Sequence, residues 1–415
     1  MDALKETDPK VYELIGAEEE RQRDSIRLIA SENYASEAVM EATGSILTNK
    51  YSEGYPGRRY YEGQDYTDAI ENLARNRATE LFGADHANVQ PYSGSPANLA
   101  VYHALADVGD PVLGMGLPYG GHLTHGWKVN FSGKLYDAHH YTVDEKSEQL
   151  DYAEIRKLAE EIEPKILLCG ASAYPRTIEF DKFAEIAEEV GATLVADIAH
   201  IAGLVAGGAH PSPVGHAPVI TTTTHKTLRG PRGGMILCDD EFAQDIDRAI
   251  FPTFQGGPHM HAVAAAAVAF KEASQPDFAD YADQIVANSK AMAEAFRQRD
   301  FRLVSGGTDN HLVLVDVMAS RELGGKAAAT ALSKAGIVCN ANSIPYDTRK
   351  PLDPSGVRIG TPSITTRGMD EDDMEAVVDW FDRAIEARED DETLAGIRSE
   401  VREFCEEFPI PSARS

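Results

Sequence analysis

Lys226 closes the run Val219-Ile220-Thr221-Thr222-Thr223-Thr224-His225-Lys226. A β-branched run reads as a strand, so this amine falls at the carboxyl edge of a sheet, where open α/β folds bind their ligands. A lysine there suits Schiff-base formation with a carbonyl compound. Taken alone, it is the ordinary solvated charge of a strand end. Asp197 stands twenty-nine residues earlier at the end of another apolar run, Ala192-Thr193-Leu194-Val195-Ala196-Asp197, followed by Ile198-Ala199-His200. A carboxylate in that setting is costly without a cationic partner. A protonated pyridine nitrogen would be such a partner, and the pairing would keep the ring able to accept electrons from a carbanion. The competing reading of Asp197 is a helix N-cap.

Three further segments could complete a cofactor site. Ser93-Gly94-Ser95-Pro96 puts small residues at the start of a helix, where backbone N–H groups receive phosphate, although any capped helix start has the same composition. Gly256-Gly257, after Gln255, could add to a phosphate cradle or be a plain turn. His122, in Gly120-Gly121-His122-Leu123-Thr124-His125-Gly126, lies in a glycine-rich loop from which an imidazole could stack on a flat ring.

The elements needed to bring these groups together are written as alternation. Helical spacing at 73–82, 97–107 and 182–190 takes turns with short apolar runs at 88–90, 111–115, 165–169, 192–197, 219–223 and 235–238. This is the pattern of βαβ units around a sheet covered on both faces. Asp8-Pro9 starts a helical arm whose spacing continues through Arg27. Beyond the alanine-rich helix 262–273 the pattern shifts to longer helices, with strands expected at 312–317 and 336–339. That shift puts a domain boundary near Glu272.

A length of 415 residues favours two domains. The N-terminus lacks the apolar core of a secretory signal, and no uninterrupted apolar stretch reaches membrane-spanning length. We expect a cytoplasmic protein with no membrane contact. Cys169, Cys238, Cys339 and Cys405 are far apart with no C-x-x-C pair, and read as free thiols with no metal role. The net charge of −28, from 67 acidic against 39 basic residues, excludes nucleic acid as a partner. It also fits a halophilic source, because such self-repulsion needs counterions.

The candidate residues stand within longer runs: Leu28-Ile29-Ala30-Ser31-Glu32-Asn33, Asn49-Lys50-Tyr51-Ser52-Glu53-Gly54-Tyr55-Pro56-Gly57, Thr221 to Lys226, Gly230-Pro231-Arg232-Gly233-Gly234, Ser305 to His311, and Gly356-Val357-Arg358-Ile359-Gly360-Thr361-Pro362. Together, in order and over nearly the whole chain, they resemble serine hydroxymethyltransferase. The resemblance implies an α/β architecture of fold type I. This has an arm (1–45), a large domain with a mostly parallel seven-stranded sheet (46–272) and a smaller α+β domain (273–415).

It further implies pyridoxal 5'-phosphate as a Schiff base on Lys226, with Asp197 under the pyridine nitrogen, His122 stacked on the ring and Ser93, Gly94 and Ser95 on the phosphate. Gly256, Gly257, Tyr51 and Tyr61 are expected to reach the site from the partner of a homodimer, and a tetramer is also compatible. Ser172, Thr223, His200 and His225 correspond to polar contacts around the phenolic oxygen and the substrate. Arg358 and Ser31 correspond to carboxylate recognition, for which a planar guanidinium is well shaped. Glu53 corresponds to the acid that meets the serine hydroxyl and the carrier's nitrogens, a task for which it should be protonated. The implied reaction moves the hydroxymethyl carbon of serine to a reduced pterin, leaving glycine. The pterin is tetrahydrofolate or, for an archaeal source, tetrahydromethanopterin. Leu117, Gly121, Leu123, Asn342 and the loop Arg349-Lys350-Pro351-Leu352 are its expected contacts. Tyr119, Pro96 and Glu62 depart from the usual pattern and put fine geometry in question. The alternatives are a threonine aldolase of the same fold, which needs no pterin, and a cofactor-free scaffold protein.

Overall fold

The computed structural model describes residues 2–411. Its largest sheet has seven strands: β1 His86–Asn88, β2 Pro111–Met115, β3 Asp137–Tyr141, β4 Ile166–Cys169, β5 Thr193–Asp197, β6 Val219–Thr223 and β7 Gly234–Cys238. The spatial order is β1-β7-β6-β5-β4-β2-β3. Neighbours from β6 to β3 pair in parallel, and β7 is antiparallel to both β1 and β6.

Successive side chains leave a strand on opposite faces, and here both faces are buried. Val112, Ile166, Leu168, Val195 and Val219 enter one apolar cluster. Their neighbours Leu113, Leu167, Leu194 and Ile220 enter another. This explains the unbroken apolar runs in the sequence. The edge strand β3 was not anticipated, because Asp137-Ala138-His139-His140-Tyr141 has no apolar run; it pairs with β2 alone and buries only Tyr141.

The arm begins as expected: Asp8 accepts from Lys10 N and Val11 N at 3.1 and 3.0 Å, capping the helix Pro9–Arg23. The expected continuation of this helix through Arg27 is wrong. Ile26–Arg27 is extended and pairs in parallel with Ile337–Val338, because Ile26 and Leu28 are drawn fully into a second core. The strand expected at 88–90 sits at 86–88. Gln90 instead donates its amide to Gly54 O and to the Glu71 carboxylate.

The second core lies against a four-stranded antiparallel sheet, β8 Arg302–Leu303, β9 Leu312–Asp316, β10 Asn340–Asn342 and β11 Gly356–Gly360, in the order β8-β9-β11-β10. The helix Pro276–Gln298 joins the two cores, giving Phe278, Tyr281 and Ile285 to the first and Met292 and Phe296 to the second. The cysteines are free; Cys169, Cys238 and Cys405 are buried and Cys339 is partly so. Among the described residues no helix is long and apolar enough to cross a membrane, and no cluster of metal-ligating side chains occurs.

Candidate active site

Five segments leave the large sheet at one edge and surround a cavity of about 520 Å³. Lys226 follows β6 by three residues, and its amine has no hydrogen-bond or ion-pair partner among the described residues. Burial depresses this amine to about 8, against the counteracting pull of Asp197 and reinforced by Arg358 and Arg232. An amine that loses its proton near pH 8 has a substantial neutral fraction near physiological pH, far more than an ordinary lysine, and can serve as a nucleophile toward a carbonyl. Its backbone is held by Asn33, whose amide donates to Lys226 O at 3.0 Å and to the Tyr281 hydroxyl at 2.7 Å.

Asp197, 8% exposed, ends β5. Oδ2 accepts from Asn98 Nδ2 at 2.9 Å and lies 3.0 Å from His125 Nε2, while Oδ1 accepts from Ala199 N at 3.0 Å. Burial alone would raise this carboxyl; the His125 hydrogen bond, the nearby imidazoles and Asn98 more than offset it and hold the group far below the usual carboxylate range. The following helix starts only at Ala202 with Ile201 at its cap, so Asp197 is not a helix cap. Asn98 also donates to Thr124 Oγ1 at 2.7 Å, and Thr124 Oγ1 lies 2.7 Å from His122 Nδ1. One buried amide therefore fixes both the carboxylate and the ring above it. His122 is pushed down to about 4 by burial, so its ring is neutral at pH 7.

Ser93, Gly94 and Ser95 open the helix Gly94–Leu105 and line the cavity, and Ser93 makes no side-chain cap bond. A Cβ on Gly94 would come within 2.9 Å of Thr223 Cγ2, so a larger residue would push this turn away from β6. Arg358, on β11, donates Nη1 to Ser172 O at 2.7 Å and both Nε and Nη2 to Asn340 Oδ1 at 3.3 and 3.2 Å. No carboxylate faces it among the described residues, and burial lowers its guanidinium to about 10. A guanidinium so placed can receive an anion brought by a ligand. Ser31, Ser172, Thr223, His200 and His225 also line the cavity, as do Leu117, Gly121, Leu123 and Asn342. His225 Nδ1 is buried without a partner, and burial pushes the ring to about 3.

The other expected site residues form a separate surface group. Tyr51 hydroxyl donates to Glu53 Oε1 at 3.3 Å, and the Tyr51 and Tyr61 rings meet edge to face at 5.5 Å. Gly256 and Gly257 lie against the same pair: a Cβ on Gly256 would be 3.0 Å from Glu53 Oε1, and one on Gly257 would be 3.3 Å from the Tyr51 ring. Tyr51 and Tyr61 are 59% and 51% exposed. The loop is anchored behind them by Arg59, bonded to Asp68 at 2.8 Å and to fully buried Glu71 at 2.7 Å. Lys350, Pro351 and Leu352 are exposed and do not line the cavity.

The family model described as serine hydroxymethyltransferase matches residues 4–381. The chain is 58% identical over 412 residues to the serine hydroxymethyltransferase of Sorangium cellulosum, covering 99% of this chain and 97% of that one. It is 57% identical to those of Acidothermus cellulolyticus and Desulfotalea psychrophila, again over 99% of this chain, and over 97% and 96% of theirs. The chain belongs to the serine hydroxymethyltransferase family. It is accordingly a fold-type-I, pyridoxal-phosphate-dependent transferase, and the seven-stranded, mostly parallel sheet is that architecture.

Within this family site, four neighbours escaped the sequence reading. Asn98 and His125 touch Asp197, Asn340 touches Arg358, and His311 touches His200. His125 had a signal, since it shares the glycine-rich loop with His122. Asn98 had a weaker one: it falls one helical turn after Ser95, inside an otherwise apolar stretch.

Proposed function

We propose that this chain transfers the hydroxymethyl carbon of L-serine reversibly to a reduced pterin, leaving glycine. In this reading Lys226 carries pyridoxal phosphate, Asp197 holds the pyridine nitrogen and Ser93 to Ser95 hold the phosphate. The observation that carries it is one cavity that joins a buried anionic Asp197, a lysine depressed to about 8 and an arginine lacking a carboxylate partner. The donor set fits the cofactor: an acid for a ring cation, uncapped backbone N–H groups for a phosphate, and an unpaired amine for a carbonyl.

When bound, the cofactor would supply an electron sink for the negative charge left on the substrate α-carbon. The chain's own residues bind and orient around it. Arg358, steadied by Asn340 and Ser172 O, grips the substrate carboxylate with Ser31 beside it. Asp197, kept ionised, holds a proton on the ring nitrogen. His122, locked by Thr124, covers one ring face as a neutral plane. Thr223, Ser172, His200 and His225 supply uncharged polar contacts near the lysine. Glu53 exchanges a proton with the serine hydroxyl, and Leu117, Gly121, Leu123 and Asn342 receive the pterin, with Lys350, Pro351 and Leu352 closing from the adjacent loop.

Glu53, Tyr51, Tyr61, Gly256 and Gly257 lie together on an exposed face, outside their own chain's cavity wall. That placement supports a homodimer in which this group completes the partner's site. We take 46–272 as the cofactor-carrying domain, 273–415 as the domain that brings Arg358, and 1–45 as an arm tied to the latter through Ile26 and Leu28. Cytoplasmic location, a halophilic source and tetrahydrofolate as the pterin belong to the same reading.

The test is spectroscopic. The protein, purified in high salt with pyridoxal phosphate, should show a visible band that disappears in Lys226→Met. Glycine with tetrahydrofolate should strongly intensify a longer-wavelength band. A response to tetrahydromethanopterin alone would overturn the pterin assignment, and a glycine response indifferent to both pterins would overturn the transferase.

A further inference from the structure

His311 lies just before β9, in the segment that docks the smaller sheet's side onto the large one. Asn310 Nδ2 donates to Tyr174 O at 2.9 Å and Asp309 N to Pro175 O at 2.8 Å. These bonds hold its imidazole beneath the cavity, where Nε2 lies 3.2 Å from Nδ1 of His200. His311 is fully buried and His200 is 4% exposed. Only one proton fits between the two nitrogens. The facing groups are cations or other imidazoles: Lys226 and Arg358 toward both rings, His122 toward His200, and His210 toward His311. Both rings are therefore neutral at pH 7, with burial as the main cause and these charges as the second.

Two tautomeric arrangements satisfy the shared hydrogen bond, and they differ at the outer atoms. If His200 donates, His311 must carry its own proton on Nδ1. That atom is buried with no partner. A buried N–H without an acceptor is the rarer and costlier defect; a lone pair left bare is better tolerated. The other arrangement puts the His311 proton on Nε2, donated to His200 Nδ1. His200 must then carry its proton on Nε2, available to the cavity it lines.

We infer that His311 is a positioning residue that fixes the tautomer of His200, so that His200 presents a neutral N–H donor to an anionic oxygen of the bound ligand. The inference rests on the proposed cofactor site only for the identity of that oxygen, the phenolic oxygen of pyridoxal phosphate. A donor that stays neutral stabilises the oxygen by a directed hydrogen bond, without adding a third full charge beside Lys226 and Arg358.

The experiment uses the full-length protein with nitrogen-15-labelled histidine, with and without pyridoxal phosphate, and assigns His200 from the spectrum of His200→Asn. Wild-type His200 should show a protonated Nε2 and a bare Nδ1 in both samples near pH 7. His311→Leu should lose that fixed tautomer, and His311→Gln, which keeps a donor near the Nε2 position, should restore it. In the cofactor-loaded protein, His311→Leu should move the pH midpoint of the visible band upward by about one unit, tenfold in the proton equilibrium, and His311→Gln should return it. Finding the His200 proton on Nδ1 in the wild type would overturn the inference whether or not cofactor binds. A tautomer as expected with no visible band would leave the inference standing and overturn the cofactor assignment. Matched midpoints in wild type and His311→Leu would also overturn it.

Discussion

Replacing Arg358 by leucine should move stability and substrate affinity apart. In the chain without ligand, this guanidinium is sunk in the cavity wall, bonded only to the neutral acceptors Ser172 O and Asn340 Oδ1, with no carboxylate partner among the described residues. Exchanging an uncompensated ion for an apolar side chain relieves desolvation, and such exchanges are often neutral or stabilising by about 1–4 kcal/mol. The two acceptors lose their donor, at about 1–3 kcal/mol each if dry, but Ser172 lines the cavity and Asn340 is only half-buried, so both can turn to water. The two contributions nearly cancel, and unfolding of the cofactor-free variant should differ from wild type by about 2 kcal/mol or less. Substrate binding carries no such cancellation. A carboxylate held by a desolvated guanidinium loses about 3–5 kcal/mol when its partner is removed, which at 1.36 kcal/mol per decade is roughly 10²- to 10⁴-fold in serine affinity. Denaturant titration gives the first quantity, and serine-induced change in the visible spectrum gives the second. Arg358→Lys should recover part of the affinity, because it keeps charge but not the fork. A large loss of stability with serine affinity intact would refute the reasoning and make Arg358 a structural residue.

The remaining predictions concern charge and assembly. Because the folded Lys226 is depressed to about 8 from 10.5, the unfolded chain holds more protons between those values, so the stability of wild type relative to Lys226→Met should rise as pH climbs from 8 to 10.5. Denaturation midpoints of both proteins across that range check the sign. His122, His225 and His311 titrate near 4, 3 and 3 in the folded state, so cofactor-free protein should lose stability as pH falls below 6.5, and His225→Asn should flatten that slope by about one proton in urea titrations. The net charge of −28 predicts a melting temperature that rises steeply from low salt to about 1 M, where the screening length falls to about 3 Å; a flat scan would remove the case for salt adaptation. Mixing inactive Lys226→Met and Glu53→Gln chains, unfolded and refolded together, should restore about one quarter of wild-type activity through hybrid dimers holding one intact site; no recovery would contradict a shared site.

What the sequence could express follows from how each residue is positioned. Asp197 ends, and Lys226 follows by three residues, a strand whose both faces are buried, so the apolar runs stand out and the polar residues after them are conspicuous. β3 was invisible for the opposite reason, since an edge strand needs no apolar run. The arm helix was drawn four residues too long because Val11 to Arg27 keeps helical spacing, while Ile26 and Leu28 take their partners from Ile337–Val338, more than three hundred residues away. Asn340 and His311 act through contacts with Arg358 and His200 that no local pattern encodes, and Asn98 offered only its place one turn after Ser95. Glu53, Tyr51 and Tyr61 had no signal beyond the family resemblance, because a glutamate between tyrosines in a glycine-rich loop reads as ordinary surface.

A chain so acidic poses a problem for anionic ligands, since its overall field repels them. The cavity answers locally. Its buried acid, Asp197, is tied to His125 and Asn98, while Lys226 and Arg358 line the same space without acidic partners in contact among the described residues. Four histidines in and beneath the cavity add no charge at neutral pH: His122, His200, His225 and His311 are all depressed below neutrality, chiefly by burial. The attraction for a carboxylate or phosphate therefore comes from a few cationic and backbone donors acting at contact distance, where salt screens little. The repulsion comes from the surface, where salt screens most. Raising ionic strength should accordingly speed the entry of pyridoxal phosphate into the cofactor-free protein while weakening its equilibrium binding only slightly. Stopped-flow absorbance across a salt series measures both. Entry that slows as salt rises would mean that long-range attraction, and not this local constellation, draws the anion in.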